Sequence, residues 1–184
     1  MGNIIMWNVV SVDGCFEGTH AWDLGHHQAV WGEELQAYVL AQLKTASLLI
    51  FGRNTYTGMA AHWTKAVHEP EAPYMNAIPK IVCSTTLSSA DWEHTTIVRD
   101  AVAELSTLKQ QSEGNMFVFG SANLSKSLMT AGLFDEYRIC IAPVVLGKGR
   151  RLFPDTTPYQ KLTLLECSHL KNGGIIVRYG STTQ

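Results

Sequence analysis

Apolar positions along the chain follow two rhythms, and their alternation predicts the architecture. Short continuous apolar or β-branched runs at residues 3–12, 47–51, 80–83, 95–98, 115–119 and 135–142 read as strands, most of them buried on both faces as in parallel sheets. Between several of them the period becomes helical. Residues 28–46 bring Trp31, Leu35, Tyr38, Val39, Gln42 and Ala46 onto one face, with Gln42 its single polar member. A shorter helix gathers Tyr56, Met59, Ala60 and Trp63. Asp100 is positioned to cap a helix carrying Val102, Leu105 and Leu108. Ser121 is positioned to cap one carrying Leu124, Leu128 and Ala131, which stops at Gly132. Residues 15–27 read as a loop, and so does most of 62–79, with Pro70, Pro73 and Pro79. Residues 162–169 and 175–179 form a hairpin around Asn172-Gly173-Gly174.

Strands alternate with helices over the first two-thirds of the chain and then follow one another. That order predicts an α/β fold: a mixed, mostly parallel sheet ending in an antiparallel C-terminal hairpin. The 184 residues contain no repeat, low-complexity tract or composition break, so a single domain over 1–184 is expected. Hydrophobic residues make up 46% and charged residues 16%, a globular balance that fits some apolar surface being covered by another subunit. The net charge of -2, with no basic cluster beyond Lys148, Arg150 and Arg151, argues against a nucleic-acid partner. No apolar run nears the roughly 20 residues that span a bilayer, so no membrane partner is expected. Cys15, Cys83, Cys140 and Cys167 lie far apart without a Cys-x-x-Cys pair or a signal peptide. They are expected as mostly buried, reduced thiols of a cytoplasmic protein.

The chemistry concentrates in a repeated turn. Leu48-Leu49-Ile50-Phe51-Gly52-Arg53-Asn54-Thr55-Tyr56 and Met116-Phe117-Val118-Phe119-Gly120-Ser121-Ala122-Asn123-Leu124 each run from an apolar strand through one glycine into a helix. The glycine lets a ligand approach the backbone, and the helix turns unpaired N–H groups toward it. Ligands of open α/β sheets sit beyond the carboxyl ends of the strands. Four loops are expected to meet there: Val12-Asp13-Gly14, Gly52 to Thr55, Ser84-Thr85-Thr86 and Gly120 to Asn123. Thr55, Ser84 and Ser121 offer hydroxyls to phosphate oxygens. Arg53 can grip a phosphate with two N–H groups and suits the extra 2′-phosphate of NADP. Such turns also occur for structural reasons alone. Gly147-Lys148-Gly149-Arg150 begins like a dinucleotide fingerprint but opens no helix, and reads as a loop.

These segments, in this order and spacing, resemble the dihydrofolate-reductase-like superfamily, in the branch of the reductase domain of riboflavin-biosynthesis deaminase–reductases. The markers are Ser11-Val12-Asp13-Gly14, Gly52-Arg53-Asn54-Thr55-Tyr56, Val82-Cys83-Ser84-Thr85-Thr86, Phe119-Gly120-Ser121-Ala122, Asp135-Glu136 and Ala142-Pro143-Val144-Val145-Leu146-Gly147, over nearly the whole length. The resemblance implies a three-layer α/β/α sandwich, NADPH as hydride donor, a small-molecule substrate and a homodimer. It implies Arg53, Thr55, Ser84 and Thr85 at the adenosine-phosphate end and Gly120 to Leu124 at the pyrophosphate. The chain departs from the riboflavin reductases at Val118, where that pattern has a substrate-binding Glu, and at Tyr56 to Ala61, which lacks their acids. It departs from dihydrofolate reductases at His27, where those have an acid. The substrate is therefore open.

Hydride transfer asks the protein mainly to orient the cofactor and to supply a proton. The candidate donors are Asp13, Glu17, Asp23 and His27. Asp13 equally suits an ordinary Asp-Gly turn, and Asp23 a surface or helix-start role. His26-His27 are adjacent on a helix and lack a third ligand, so no metal is expected. Trp22, Trp31 and Trp63 can stack on a flat heterocycle, although Trp31 and Trp63 fall at core spacing. Three functions follow: an NADPH-dependent reductase of a pterin- or pyrimidine-like ring, a sensor that binds NADP(H) without turnover, and a loosely specific reductase of carbonyls or quinones.

Overall fold

In the computed structural model, which describes residues 1–182, β1 (Asn3–Ser11) is the buried spine of the sheet. β2 (Cys15–Glu17), a single helical turn α1 (Gly25–Gln28) and α2 (Glu33–Thr45) follow. Then come β3 (Ala46–Gly52), α3 (Arg53–Trp63), α4 (Ala72–Ala77), β4 (Lys80–Cys83), β5 (Thr95–Val98) and α5 (Ala101–Gln111). β6 (Asn115–Phe119), α6 (Ala122–Thr130), β7 (Glu136–Ala142), the two-residue β8 (Arg150–Arg151), β9 (Leu162–His169) and β10 (Ile175–Ser181) complete the described chain.

Eight strands form one sheet in the order β5-β4-β3-β6-β1-β7-β10-β9, parallel from β5 to β7 and antiparallel through β10 and β9. The alternating sides of β1 seed two cores. Ile5, Trp7 and Val9 face the layer of α2, α3 and α4 with Leu35, Leu43 and Met75; Ile4, Met6 and Val10 face that of α5 and α6 with Leu105 and Leu128. The result is the expected three-layer sandwich with a mixed, mostly parallel sheet and an antiparallel terminal hairpin.

Local details follow the sequence closely at the strands and less closely between them. Asp100 caps α5, its Oδ1 accepting from the Ala103 amide at 3.1 Å. Gly132, at φ 64°, ends the α6 turn as the Leu133 amide donates back to the Leu128 carbonyl. The expected helix over 28–46 is broken. α1 stops at Gln28, the chain extends through Gly32, and α2 begins at Glu33. Trp31 therefore leaves the apolar stripe and stands exposed. Gln42, the polar exception on that stripe, is buried and accepts from Arg138 Nη1 at 3.3 Å. The expected loop over 62–79 contains α4, whose Pro73 falls in the first turn, where no N–H is needed. Part of the expected loop over 15–27 is strand: β2 pairs with β8. All four cysteines are free, but Cys167 lies exposed on β9 rather than buried. Among the described residues no helix is long and apolar enough to cross a membrane, and no cluster of His, Cys, Asp and Glu could hold a metal.

Candidate functional site

β1 and β6 are hydrogen-bonded only as far as Trp7 and Phe119, and beyond them the sheet opens. A cleft of about 1300 Å³ starts there and runs along the carboxyl ends of β3, β4 and β6. Gly52, Arg53, Asn54, Thr55, Ser84, Thr85, Gly120, Ser121, Ala122, Asn123 and Leu124 all line it. Three of the four expected loops thus meet in one space.

The two glycine turns interlock. A side chain at Gly52 would place its Cβ 2.5 Å from Ser121 Oγ, and one at Gly120 would place it 3.2 Å from Thr55 Oγ1. The Gly52 amide donates to Ser121 Oγ at 3.0 Å, and the Ser121 and Thr55 hydroxyls share a hydrogen bond of 2.7 Å. Ser121 sits in the left-handed region at φ 55° and makes no cap with its side chain. The expected cap is therefore replaced by a cross-link between the turns. Ser121 still begins α6, since its carbonyl accepts from the Ser125 amide. The first-turn amides of α6 have no partner within the helix, and their residues line the cleft.

At the β4 end, the Ser84 hydroxyl accepts from the Thr86 and Leu87 amides and shapes its own turn. Arg53 is exposed and donates to Thr86 Oγ1 at 2.8 Å. Arg99, absent from the sequence reading, donates to the Ser84 carbonyl at 2.6 Å and also lines the cleft. Two guanidinium groups therefore flank the Ser84-Thr85-Thr86 turn. Burial pushes the neighbouring Cys83 thiol up to about 12, so it carries no thiolate there at neutral pH.

The opposite end is shaped by the loop after β2. Glu17 is buried; its Oε1 accepts from the Trp22 amide at 2.7 Å and its Oε2 from Arg150 Nη1 at 2.9 Å. That pair of bonds sets Trp22, at φ 65°, against α3 at Gly58, where an ideal Cβ would lie 1.9 Å from the indole. Trp22, Trp31, Trp63 and His27 all line this end. Burial, then the neighbouring His26, lowers the His27 pKa to about 4, so the ring is neutral at pH 7.

Asp13 and Asp23 do not line the cleft. The Asp13 carboxylate accepts from the Leu146 and Gly147 amides at 3.0 and 2.8 Å. The nearby Ser11 hydroxyl and the Leu146 amide hold its carboxyl at about 2. Asp13 anchors the loop after β7 and lies outside the residues that line the cleft. Asp23 Oδ2 accepts from the Thr19 amide at 3.2 Å, and its side chain packs against Gly18. It closes the 18–23 turn and does not line the cleft. Of the four expected donors, His27 and Glu17 line the cleft, and Asp13 and Asp23 do not.

The sequence reading also missed Glu71. It is buried, is among the residues that line the cleft, and neither carboxylate oxygen has a hydrogen-bond partner among the described residues. Its only signal in the sequence is an acid between Pro70 and Pro73, in a segment whose prolines predict a loop.

Comparison with known proteins bears on the family and the fold. Residues 3–176 match the family model described as the RibD C-terminal domain. The chain is 33% identical to the uncharacterized protein YwjB of Bacillus subtilis (strain 168) over 122 residues, 66% of this chain and 66% of that one. A crystal structure from Shewanella sp. PV-4, described as a riboflavin biosynthesis protein, superposes with a TM-score of 0.81 at 17% identity, covering 98% of this chain and 99% of that one. The dihydrofolate reductase of Enterococcus faecalis, complexed with NADP(H), superposes with a TM-score of 0.67 at 14% identity, covering 98% and 97%. Neither structure is similar enough in sequence to establish more than the fold. The family match spans nearly the whole chain, and the chain belongs to the RibD C-terminal domain family.

Proposed function

We propose that this protein is an NADPH-dependent reductase that delivers hydride to a small flat heterocycle. The observation that carries the reading is the pair of interlocked glycine turns at the rim of one cleft, with the α6 amides between them and two arginines at one end. Gly52 and Gly120 leave the backbone bare where a pyrophosphate would lie, and the start of α6 favours its negative charge. Arg53 and Arg99 would hold a 2′-phosphate, with Thr85 beside them. The Enterococcus faecalis neighbour, complexed with NADP(H), supports the same choice of cofactor.

When bound, NADPH supplies the hydride, and the chain orients it toward the end lined by Trp22, Trp31 and His27. Neutral His27 positions substrate by hydrogen bonding and does not act as a strong acid at pH 7. The relatives associated with riboflavin biosynthesis favour a pyrimidine-like ring, whereas Val118 stands where those reductases hold a substrate Glu. The homodimer and the cytoplasmic location belong to the same proposal.

A specific observation favours a second reading: Asp13 and Asp23 lie outside the lining of the cleft, and His27 within it is neutral at pH 7. A protein that binds NADP(H) as a sensor needs no proton donor. Fluorescence titration with NADPH and NADH separates the first requirement, since the reading fails if neither binds. Arg53→Ala and Arg99→Ala are each expected to erode the NADPH preference by about 1–3 kcal/mol, leaving NADH affinity nearly unchanged. Oxidation of NADPH with a panel of pterins and pyrimidines then distinguishes reductase from sensor.

A further inference from the structure

Three helices give the cleft a wall of apolar side chains. α2 contributes Leu35, Val39 and Leu43, four residues apart and so on one helix face. α3 contributes Met59 and Trp63, and α4 contributes Met75. All six line the cleft and belong to, or pack against, one hydrophobic cluster. Leu35, Leu43 and Met75 are buried in it, whereas Val39, Met59 and Trp63 stay partly open. Trp63 Nε1 donates to Met59 Sδ at 3.3 Å, so the indole's single donor is satisfied within the wall.

Positive charge is placed elsewhere. Among the described residues that line the cleft there is no lysine, and the arginines are Arg53, Arg99 and Arg150. Arg53 and Arg99 flank the Ser84-Thr85-Thr86 turn, and Arg150 is paired with Glu17. His27 is neutral at pH 7, and Glu71 brings no positive charge. An anionic group set against this wall would lose its water with no cation to receive it, which is strongly unfavourable. A hydrocarbon group would instead gain with each methylene it buries. The cleft, at about 1300 Å³, exceeds the roughly 300–1,000 Å³ usual for one ligand, which leaves room beside a cofactor. We propose that the substrate is an uncharged flat ring carrying an aliphatic or aryl substituent, and that the wall of α2, α3 and α4 receives that substituent. The proposal deepens the reductase reading and rests on it, because it gives the glycine turns to the cofactor and the helical wall to the substrate. The wall decides which substituents are accepted, and a phosphate or carboxylate arm is rejected there. No covalent step is assigned to it.

The test is calorimetric titration with 6-methyluracil, 6-propyluracil, orotate and 6-(aminomethyl)uracil, each with and without NADPH. The four probes place a methyl, a longer chain, an anion and a cation at one ring position. The intact protein is expected to bind 6-propyluracil about tenfold more tightly than 6-methyluracil, the yield of two further buried methylene groups. Both charged probes are expected to bind more weakly than 6-methyluracil. Val39→Lys is expected to cancel the gain from the longer chain and to favour orotate over 6-methyluracil. Met59→Lys makes the same change from α3 and serves if Val39→Lys fails to fold. An intact protein that binds 6-propyluracil no better than 6-methyluracil, or either charged probe more tightly, overturns the proposal without any variant. Failure of all four probes to bind overturns it too, and so does a chain-length gain retained in a folded lysine variant. A missing preference for the longer chain with NADPH bound sinks this inference alone; absence of NADPH binding sinks the reductase reading.

Discussion

A methyl group at position 52 would meet the Ser121 hydroxyl at 2.5 Å, closer than non-bonded atoms approach. Gly52→Ala is therefore expected to cost about 1–3 kcal/mol of stability, measured by urea unfolding. The cost should shrink in a Ser121→Gly background, because glycine removes the obstructing hydroxymethyl group and accepts the left-handed backbone at φ 55°. Equal cost in both backgrounds would separate the two turns energetically. His27 makes a second prediction at this scale. Its folded pKa of about 4 lies below the ordinary 6.5, so the unfolded chain holds the extra proton between those values. The stability it contributes is complete above pH 6.5 and is lost as the pH falls toward 4. Between pH 7 and pH 5 the protein is expected to lose about 2 kcal/mol more than His27→Gln does, as read from unfolding curves at the two values. Glycines and an arginine beside strand ends were legible in the sequence because their chemistry is local. Arg99 and Glu71 were not, since what marks them is a neighbour or a missing neighbour brought from elsewhere in the chain.

The elements were legible in proportion to how much of their pattern is set by near neighbours. β4, β5 and β6 begin and end where their apolar runs do. The 28–46 segment was misjudged because the helical period runs on through Trp31 and Gly32, while the chain extends there before α2 begins. Residues 18–23 are likewise shaped by partners distant in sequence: Glu17 holds Trp22 down and is itself held by Arg150. Gly58, inside α3, is a weak helix former kept where Trp22 lies against the helix. Gly58→Ala is expected to displace that indole and shift tryptophan emission to longer wavelength. Global stability should change by no more than about 1 kcal/mol, since alanine favours the helix by a similar amount. An unchanged emission spectrum would place Trp22 elsewhere in solution.

Across the whole molecule, the parallel part of the sheet carries the cleft and the antiparallel part ends at β9, a mostly exposed edge strand bearing Leu164 and Leu165, with Ile175 opening β10 beside it. Such an edge invites pairing unless something covers it, which is the physical ground for the proposed homodimer. Leu165→Lys is expected to shift the protein from dimer to monomer in light scattering; a native protein that already runs as a monomer would remove the dimer from the proposal. By itself the sequence determined the α/β alternation, the antiparallel ending and the two glycine turns, because apolar runs, helical period and backbone freedom are properties of neighbouring residues. Only the tertiary structure decided which groups share the cleft. It bound Asp13 to the loop after β7, turned Ser121 from a helix cap into a tie between turns, and left Glu71 buried without a donor among the described residues, because hydrogen-bond partners and burial arise from residues that meet only when the chain folds.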